Sequence, residues 1–231
     1  MVRLPSGSRF LASLPQGILD YILPDLEEVT LRRGEILSAA GDLIEWVYFP
    51  VDALISAVVV LANGSMIEAQ AVGNDGFTPM LLAIDEDRAE TTATVQISGP
   101  ALRINAENFR RHLEAPELRR RSWSYMAESL RLIGQSTACI AFHPVQARLA
   151  RWLLLVRDNT GRNEFPLTQD SLAAMLGVHR PTVTIAIRLL ETAGLIEHRR
   201  GRLRLVDPEA LVAAACECYA TRSGVPVAGE D

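Results

Sequence analysis

The chain has 231 residues, 48% of them apolar and 22% charged, with a net charge of −5. That composition excludes a disordered polypeptide and fits one large domain or two of ordinary size. No apolar run approaches the roughly 18 residues needed to span a bilayer; the best, Leu54 to Ala62, is interrupted by Ser56.

Three cysteines, Cys139, Cys216 and Cys218, are too few for a disulfide scaffold. No sustained apolar stretch precedes Pro15, so a signal peptide is not expected and a cytoplasmic location is. The charge is unevenly spread: −6 over residues 1–142, +5 over 143–206 and −4 from Asp207 onward. A basic island in an acidic chain points to an anionic partner for that island. Every fixed positive charge is an arginine, because lysine is absent.

A helix is expected over Gln16–Leu23, followed from Leu31 to about Ile104 by short strands and turns. Trp46–Phe49, Ile55–Leu61, Met66–Val72, Thr91–Ile97 and Ala101–Ile104 read as strands. Asn63-Gly64 predicts a type I′ hairpin, whose two central residues both need positive φ. Gly73-Asn74-Asp75-Gly76 makes another sharp turn. Strands at this spacing predict a small antiparallel barrel or roll.

After Asn105 the apolar period changes from two to about 3.6. Ala106–Leu113 forms a short helix, and Pro116 opens a helix of about 25 residues reaching Ala141. Two adjacent stripes run along it: Met126, Leu130, Ile133, Thr137 and Ile140, and Leu118, Ser122, Tyr125, Ser129, Leu132, Ser136 and Cys139. One stripe is expected to face the roll. The second, with its small residues, calls for another surface: a second copy of the same helix is the economical choice, and burial between two domains of one chain is the alternative. Phe142-His143-Pro144 is the expected hinge, followed by a helix over Val145–Asp158.

The stretch Leu167–Asp207 carries the functional signal. Thr168 caps a helix that runs to Leu176, and Gly177 supplies the left-handed residue that ends it. A second helix starts near His179. Val183, Ala186 and Leu190 fall on its inner side, while Arg180, Pro181, Thr184 and Arg188 fall opposite with Ile185 at the flank. Two short helices joined by a glycine turn describe a helix-turn-helix. The hairpin after Gly194, with Arg199-Arg200-Gly201-Arg202 at its tip, is a wing.

This chemistry fits duplex DNA. Arg180, at the start of the second helix, can donate two parallel hydrogen bonds to guanine O6 and N7. Thr184 can reach a base or phosphate, Ile185 a thymine methyl, and Arg188 the backbone; His179 and Thr182 complete the face. The Thr168 and Gln169 amides can hold a phosphate. Arg200 and Arg202 add salt-sensitive phosphate contacts, whereas Arg204 alternates with Leu203 and Leu205 as a solvated strand residue.

The run Leu172-Ala173-x-x-Leu176-Gly177-Val178-x-Arg180-x-Thr182-Val183, with Leu189-Leu190-Glu191 and Gly194-Leu195-Ile196, resembles the winged helix of the Crp/Fnr family of bacterial transcription regulators. The order of parts before it matches as well. The resemblance implies an α+β protein with a cyclic-nucleotide-binding-like β-roll over 1–115 and a dimerisation helix and hinge over 116–142. A winged helix-turn-helix over 143–220 and a flexible tail over 221–231 complete it. It further implies a homodimer on a palindromic promoter site with half-sites about one helical turn apart, a contact to RNA polymerase, and no enzymatic or membrane role.

Departures from the family narrow the expectation. Members that bind cyclic AMP begin the recognition helix with Arg-Glu and place a second Arg four residues beyond the Glu; here Pro181 and Ile185 stand there, so a different operator is expected. Their nucleotide cassette has Gly-Glu and Arg-Ser or Arg-Thr, where this chain has Gly76-Phe77 and Thr91-Thr92. Cyclic AMP is therefore not expected to bind in the usual way, although Arg88 is near enough to substitute. No N-terminal cysteine cluster offers an iron–sulfur site, and His112 is the only histidine before the hinge for a haem. Cys139, Cys216 and Cys218 show no zinc spacing and read as small packing residues, so neither metal nor cofactor is expected. An alternative, a cupin-like enzyme with an accessory helical domain, needs histidines that residues 1–111 lack. A roll that binds nothing and only holds the dimer is the third option.

Overall fold

A computed structural model describes residues 7–223; the expected tail lies outside the described residues from 224 on. The chain forms two compact units. One comprises Met1–Val60 and Ala69–Leu130, the other Leu61–Glu68 and Arg131–Asp231. The division falls inside the long helix, whereas the expected junction was at Phe142-His143-Pro144.

The first unit opens with α1 (Arg9–Ala12) and α2 (Gln16–Ile22). The strands follow: β1 (Glu27–Leu31), β2 (Ile36–Ser38), β3 (Trp46–Pro50), β4 (Leu54–Val60), β5 (Met66–Val72), β6 (Thr92–Ile97) and β7 (Gly99–Asn105). They make two antiparallel sheets, ordered β1-β7-β3 and β2-β6-β4-β5. Leu31, Tyr48, Ile55, Val72, Ala93 and Val95 form an apolar core, as the alternation of strand side chains requires. The hairpin at Asn63-Gly64 differs from expectation. Only Gly64 has positive φ (81°), and Asn63 Oδ1 accepts from the Ser65 amide at 3.0 Å. That local bond keeps Asn63 out of the left-handed region, and the glycine alone closes a three-residue loop.

Behind the sheets lie α3 (Ala106–His112) and the first part of α4 (Pro116–Phe142). An aromatic cluster binds these pieces: the Phe77 ring stands 5.0 Å from Phe10, 5.8 Å from Phe49, 5.4 Å from Phe109 and 5.0 Å from Tyr125. His112 is buried with Nε2 2.7 Å from Asp25 Oδ2 and its ring edge-on to Tyr21, while its Nδ1 is buried without a hydrogen-bond partner among the described residues.

The expected effector group is corrected by this packing. Phe77 is fully buried in the aromatic cluster, and Gly76 lies so close to Tyr125 that a Cβ would sit 2.2 Å from its hydroxyl. Thr92 Oγ1 accepts from the Ala40 amide and Thr91 is half-buried beside it. Arg88 is exposed, donates to the Gly41 carbonyl at 2.8 Å and borders a surface groove of about 460 Å³ with Leu43 and Trp46. Gly76 and Phe77 are structural, and the groove that Arg88 borders is lined by none of the other four.

The stripes of α4 also take roles other than those expected. Leu118, Ser122, Tyr125, Met126 and Ser129 are buried by their own unit, with Gln70 of β5 donating to Tyr125 Oη at 3.1 Å and Ser129 Oγ at 2.8 Å. The small residues let the helix approach the roll closely, so they are unavailable to a second copy. Cys139 is likewise fully buried. Leu130, Thr137 and Ile140 are exposed and Leu132, Ile133 and Ser136 half-buried.

The second unit contains α5 (Val145–Thr160), β8 (Glu164–Phe165), α6 (Gln169–Leu176), α7 (Arg180–Thr192), β9 (Ile196–Arg199), β10 (Arg202–Leu205), α8 (Pro208–Ala214) and α9 (Cys218–Ser223). Leu149, Leu153, Leu172, Leu176, Val183 and Leu190 bring the apolar sides of α5, α6 and α7 together in a buried core. The sheet β8-β10-β9 adds the wing. The two-residue β8 is too short to show a period and was not expected.

Candidate nucleic-acid interface

Local chemistry sets the two helices. The Thr168 side chain accepts from the Ser171 amide at 3.1 Å, and the Ser171 hydroxyl approaches the Thr168 amide in return, a reciprocal cap. Gly177 ends α6 with φ 62° and ψ 42°, a conformation that a Cβ disfavours. Beneath the turn, the buried Arg148 guanidinium of α5 donates to the Leu176 carbonyl. Burial pulls the Arg148 pKa down from its ordinary value. Arg148 was missed by sequence reasoning, because its position on α5 carries no signal that it reaches a helix end 28 residues away.

On α7, Val183, Ala186, Ile187 and Leu190 are buried. His179, Arg180, Pro181, Thr182, Ile185, Arg188 and Leu189 are exposed on the other side. The Thr184 hydroxyl lies 2.9 Å from Gln169 Oε1 and 3.1 Å from the Arg180 carbonyl oxygen. Thr184 and Gln169 therefore tie α7 to α6. Arg180 Nε stands 3.6 Å from Asp170 Oδ1 in an exposed pair, which leaves the guanidinium free to swing to another acceptor at little cost.

The wing carries its charge unequally. Arg202 Nε pairs with Glu164 Oε1 at 2.5 Å and Arg204 Nη2 with Glu197 Oε2 at 3.0 Å. The expected phosphate role of Arg202 is therefore shared with a carboxylate. Arg199 and Arg200, both exposed, have no ion-pair partner among the described residues. Arg200 and Gly201 have φ of 50° and 73° and link Arg199 to its partner Arg202, a two-residue turn with both φ values positive.

A separate cluster lies in the same unit. Cys139, His143, Cys216 and Cys218 bring one ligand atom each to within 4.8 Å of all the others. This corrects the reading of the cysteines as separate packing residues. Cys216 precedes α9 and Cys218 opens it, so helical spacing does not turn the pair to opposite faces. Hydrogen bonding from Cys216, then from His143, holds the Cys139 thiol well below the usual range against the burial that raises it, and the charge of Arg151 adds to the lowering. The same contact with Cys139 pushes the Cys216 thiol up. Cys139 and Cys216 lie 77 residues apart, which hid the cluster from any motif.

Comparison with known proteins agrees with the fold. Residues 147–214 match the family model of the Crp-like helix-turn-helix domain. A search of curated protein sequences found no match. Among solved structures, a Crp/Fnr-family transcriptional regulator from Eubacterium rectale is similar at 17% identity, covering 89% of this chain and 97% of that one with a TM-score of 0.68. The c-di-GMP-responsive global regulator CLP of Xanthomonas campestris is similar at 16% identity, over 84% and 100% of the two chains, with a TM-score of 0.67. FixK2 of Bradyrhizobium japonicum gives 15%, 83%, 98% and 0.65 in the same order.

The second unit, with its exposed second helix, has the form of a winged helix-turn-helix. Residues 147–214 thus carry a Crp-like helix-turn-helix domain, and the chain shares its fold with solved regulators of the Crp/Fnr family. Among the described residues no helix is long and apolar enough to cross a membrane.

Proposed function

We propose that this chain is a transcription regulator of the Crp/Fnr type that works as a cytoplasmic homodimer without enzymatic activity, reading a two-fold-symmetric promoter site with α7 of each copy in the major groove and contacting RNA polymerase. The observation that carries the reading is the division of α7 into a packed face and an open one that starts with Arg180. In this reading Arg180 recognises guanine, Ile185 and Thr182 approach neighbouring bases, and His179, Pro181 and Arg188 line the groove and backbone. The amides at Thr168 and Gln169 and the wing's Arg199 and Arg200 hold phosphates, with Arg202 divided between phosphate and Glu164.

In this reading the roll is not expected to hold a cyclic nucleotide in the usual way, because Gly76-Phe77 and Thr91-Thr92 stand where members that bind cyclic AMP carry Gly-Glu and Arg-Ser or Arg-Thr. The only buried arginine among the described residues is Arg148, which belongs to the other unit. A roll that binds nothing and holds the dimer is the second reading, favoured by the apolar filling of Ile55, Val72 and Val95.

Selection of binding sites from randomised duplex DNA, followed by titration of the selected site, tests the proposal. Recovery of an inverted repeat is expected, with Arg180→Ala relaxing one base pair per half-site at a cost of about 1–3 kcal/mol per contact. Equal loss of Arg180→Ala on selected and random DNA overturns the base-reading role.

A further inference from the structure

The cluster of Cys139, His143, Cys216 and Cys218 serves nothing in the DNA reading above. We propose that these four side chains form a closed tetrahedral site for one zinc ion. Three thiols and an imidazole are a soft donor set that suits zinc and excludes calcium and magnesium.

The spacing fits a single ion. Zinc bonds of about 2.3 Å to sulfur and about 2.0 Å to nitrogen place tetrahedral donors roughly 3.5–3.8 Å apart. Cys139 Sγ and Cys216 Sγ stand 3.5 Å apart, as do Cys218 Sγ and His143 Nδ1. An iron–sulfur cluster, with several metals and sulfides between its cysteines, needs a wider cage. A Cys139–Cys216 disulfide would leave the convergence of Cys218 and His143 without a purpose.

The surroundings are those a metal site requires. With Nδ1 facing the sulfurs, His143 Nε2 lies 3.0 Å from Glu217 Oε1, and donation to that carboxylate leaves Nδ1 bare for a metal. Gln135 Nε2 donates to Cys218 Sγ at 3.0 Å. The positive charge of Arg151 acts on both Cys139 and Cys216, which offsets the excess negative charge of three thiolates around a divalent ion. The three cysteines are buried, and the His143 side chain, 20% exposed, leaves a way in.

The chain makes this geometry from both ends of the unit. Cys139 and His143 are four residues apart and the His143 amide donates to the Cys139 carbonyl at 3.1 Å, so both face one side where α4 ends. Cys216 and Cys218 come from the turn into α9. An ion there clasps the C-terminal segment to the junction of α4 and α5. All four positions are filled by protein, so the ion's role is structural.

The full-length protein, purified under reducing, chelator-free conditions, is expected to carry one zinc per protomer by mass spectrometry of the elements. After stripping, titration with Co²⁺ should give the strong visible bands of a tetrahedral thiolate site, saturating at one equivalent. An organomercurial added to the unmodified protein should release that zinc as the thiols react, a measurement that needs no variant to fold. Cys216→Ser should abolish Co²⁺ saturation at one equivalent, and Glu217→Gln should weaken metal binding by about tenfold or more. Metal-free protein that gives no Co²⁺ bands overturns the proposal. So do an iron–sulfur chromophore in anaerobically purified protein, a Cys139–Cys216 disulfide in the metal-free reduced preparation, or an unchanged Co²⁺ spectrum in Cys216→Ser.

Discussion

The Arg148 guanidinium, buried within α5, donates to the Leu176 carbonyl at the last residue of α6. The amides of Gly177 and Val178 return to the carbonyls of Ala173 and Ala174, so Arg148 supplies a partner for a carbonyl that the helix end leaves open. Arg148→Met keeps most of the stem and removes the donor. It should lower stability by about 1.5–3 kcal/mol in urea unfolding. DNA affinity should fall with it, because the turn held by this bond aims Arg180. An unchanged unfolding midpoint would mean that water satisfies Leu176 equally well.

Gly76 faces Tyr125 with no room for a methyl group. Gly76→Ala must displace a ring that is packed against Phe77 and Phe10 and hydrogen-bonded to Gln70. A loss of about 1–3 kcal/mol is expected in denaturant unfolding. The double variant Gly76→Ala/Tyr125→Leu should lose less than the sum of the two single changes, because the clash is removed with the ring. Additive losses would show that Gly76 matters for another reason.

Why some of this was readable in advance and some was not follows from distance along the chain. The strands around Trp46–Phe49 and Thr92–Ile97 and the helix from Pro116 declare themselves by local period and breakers. The α6–Gly177–α7 unit does so too, because its cap, left-handed glycine and inner face lie within about two dozen residues. What failed depended on partners far away. The small stripe of α4 could equally suit a second copy or its own roll, and only Gln70 and the Gly76 contact decide for the roll. Gly76-Phe77 aligned with a ligand cassette, yet the aromatic cluster claims Phe77. The cysteines belong to one cluster that no spacing rule describes, and Arg202 meets Glu164 only because β8 pairs with β10.

The exposed side of α4 predicts how copies associate. Leu130 is 62% exposed and Ile140 41% exposed, with Ile133 half-buried and Thr137 exposed at helical spacing between them. An apolar row of this kind on a 27-residue helix fits pairing with its own copy. Leu130→Glu with Ile133→Glu should shift sedimentation from dimer to monomer with little change in the unfolding of each protomer. Ser122→Leu, on the buried stripe, should instead lower protomer stability and leave the dimer constant nearly unchanged. The reverse pattern would return the interface to the small residues.

Arg200 holds φ at 50° at the tip of the wing, a conformation costing an ordinary side chain about 1–2 kcal/mol. Asparagine or glycine is the favoured first residue of such a turn, so an arginine there stores strain that folding alone does not call for. In the DNA-binding reading the guanidinium reaches a phosphate that asparagine is too short and uncharged to hold. Arg200→Asn should therefore raise stability by about 1 kcal/mol while weakening binding to specific and random DNA alike. It should also flatten the plot of log affinity against log salt by about one unit per bound wing. Unfolding curves and salt titrations on the same preparation separate the two effects. A variant that gains stability and keeps the full salt dependence would remove the wing tip from the contact surface.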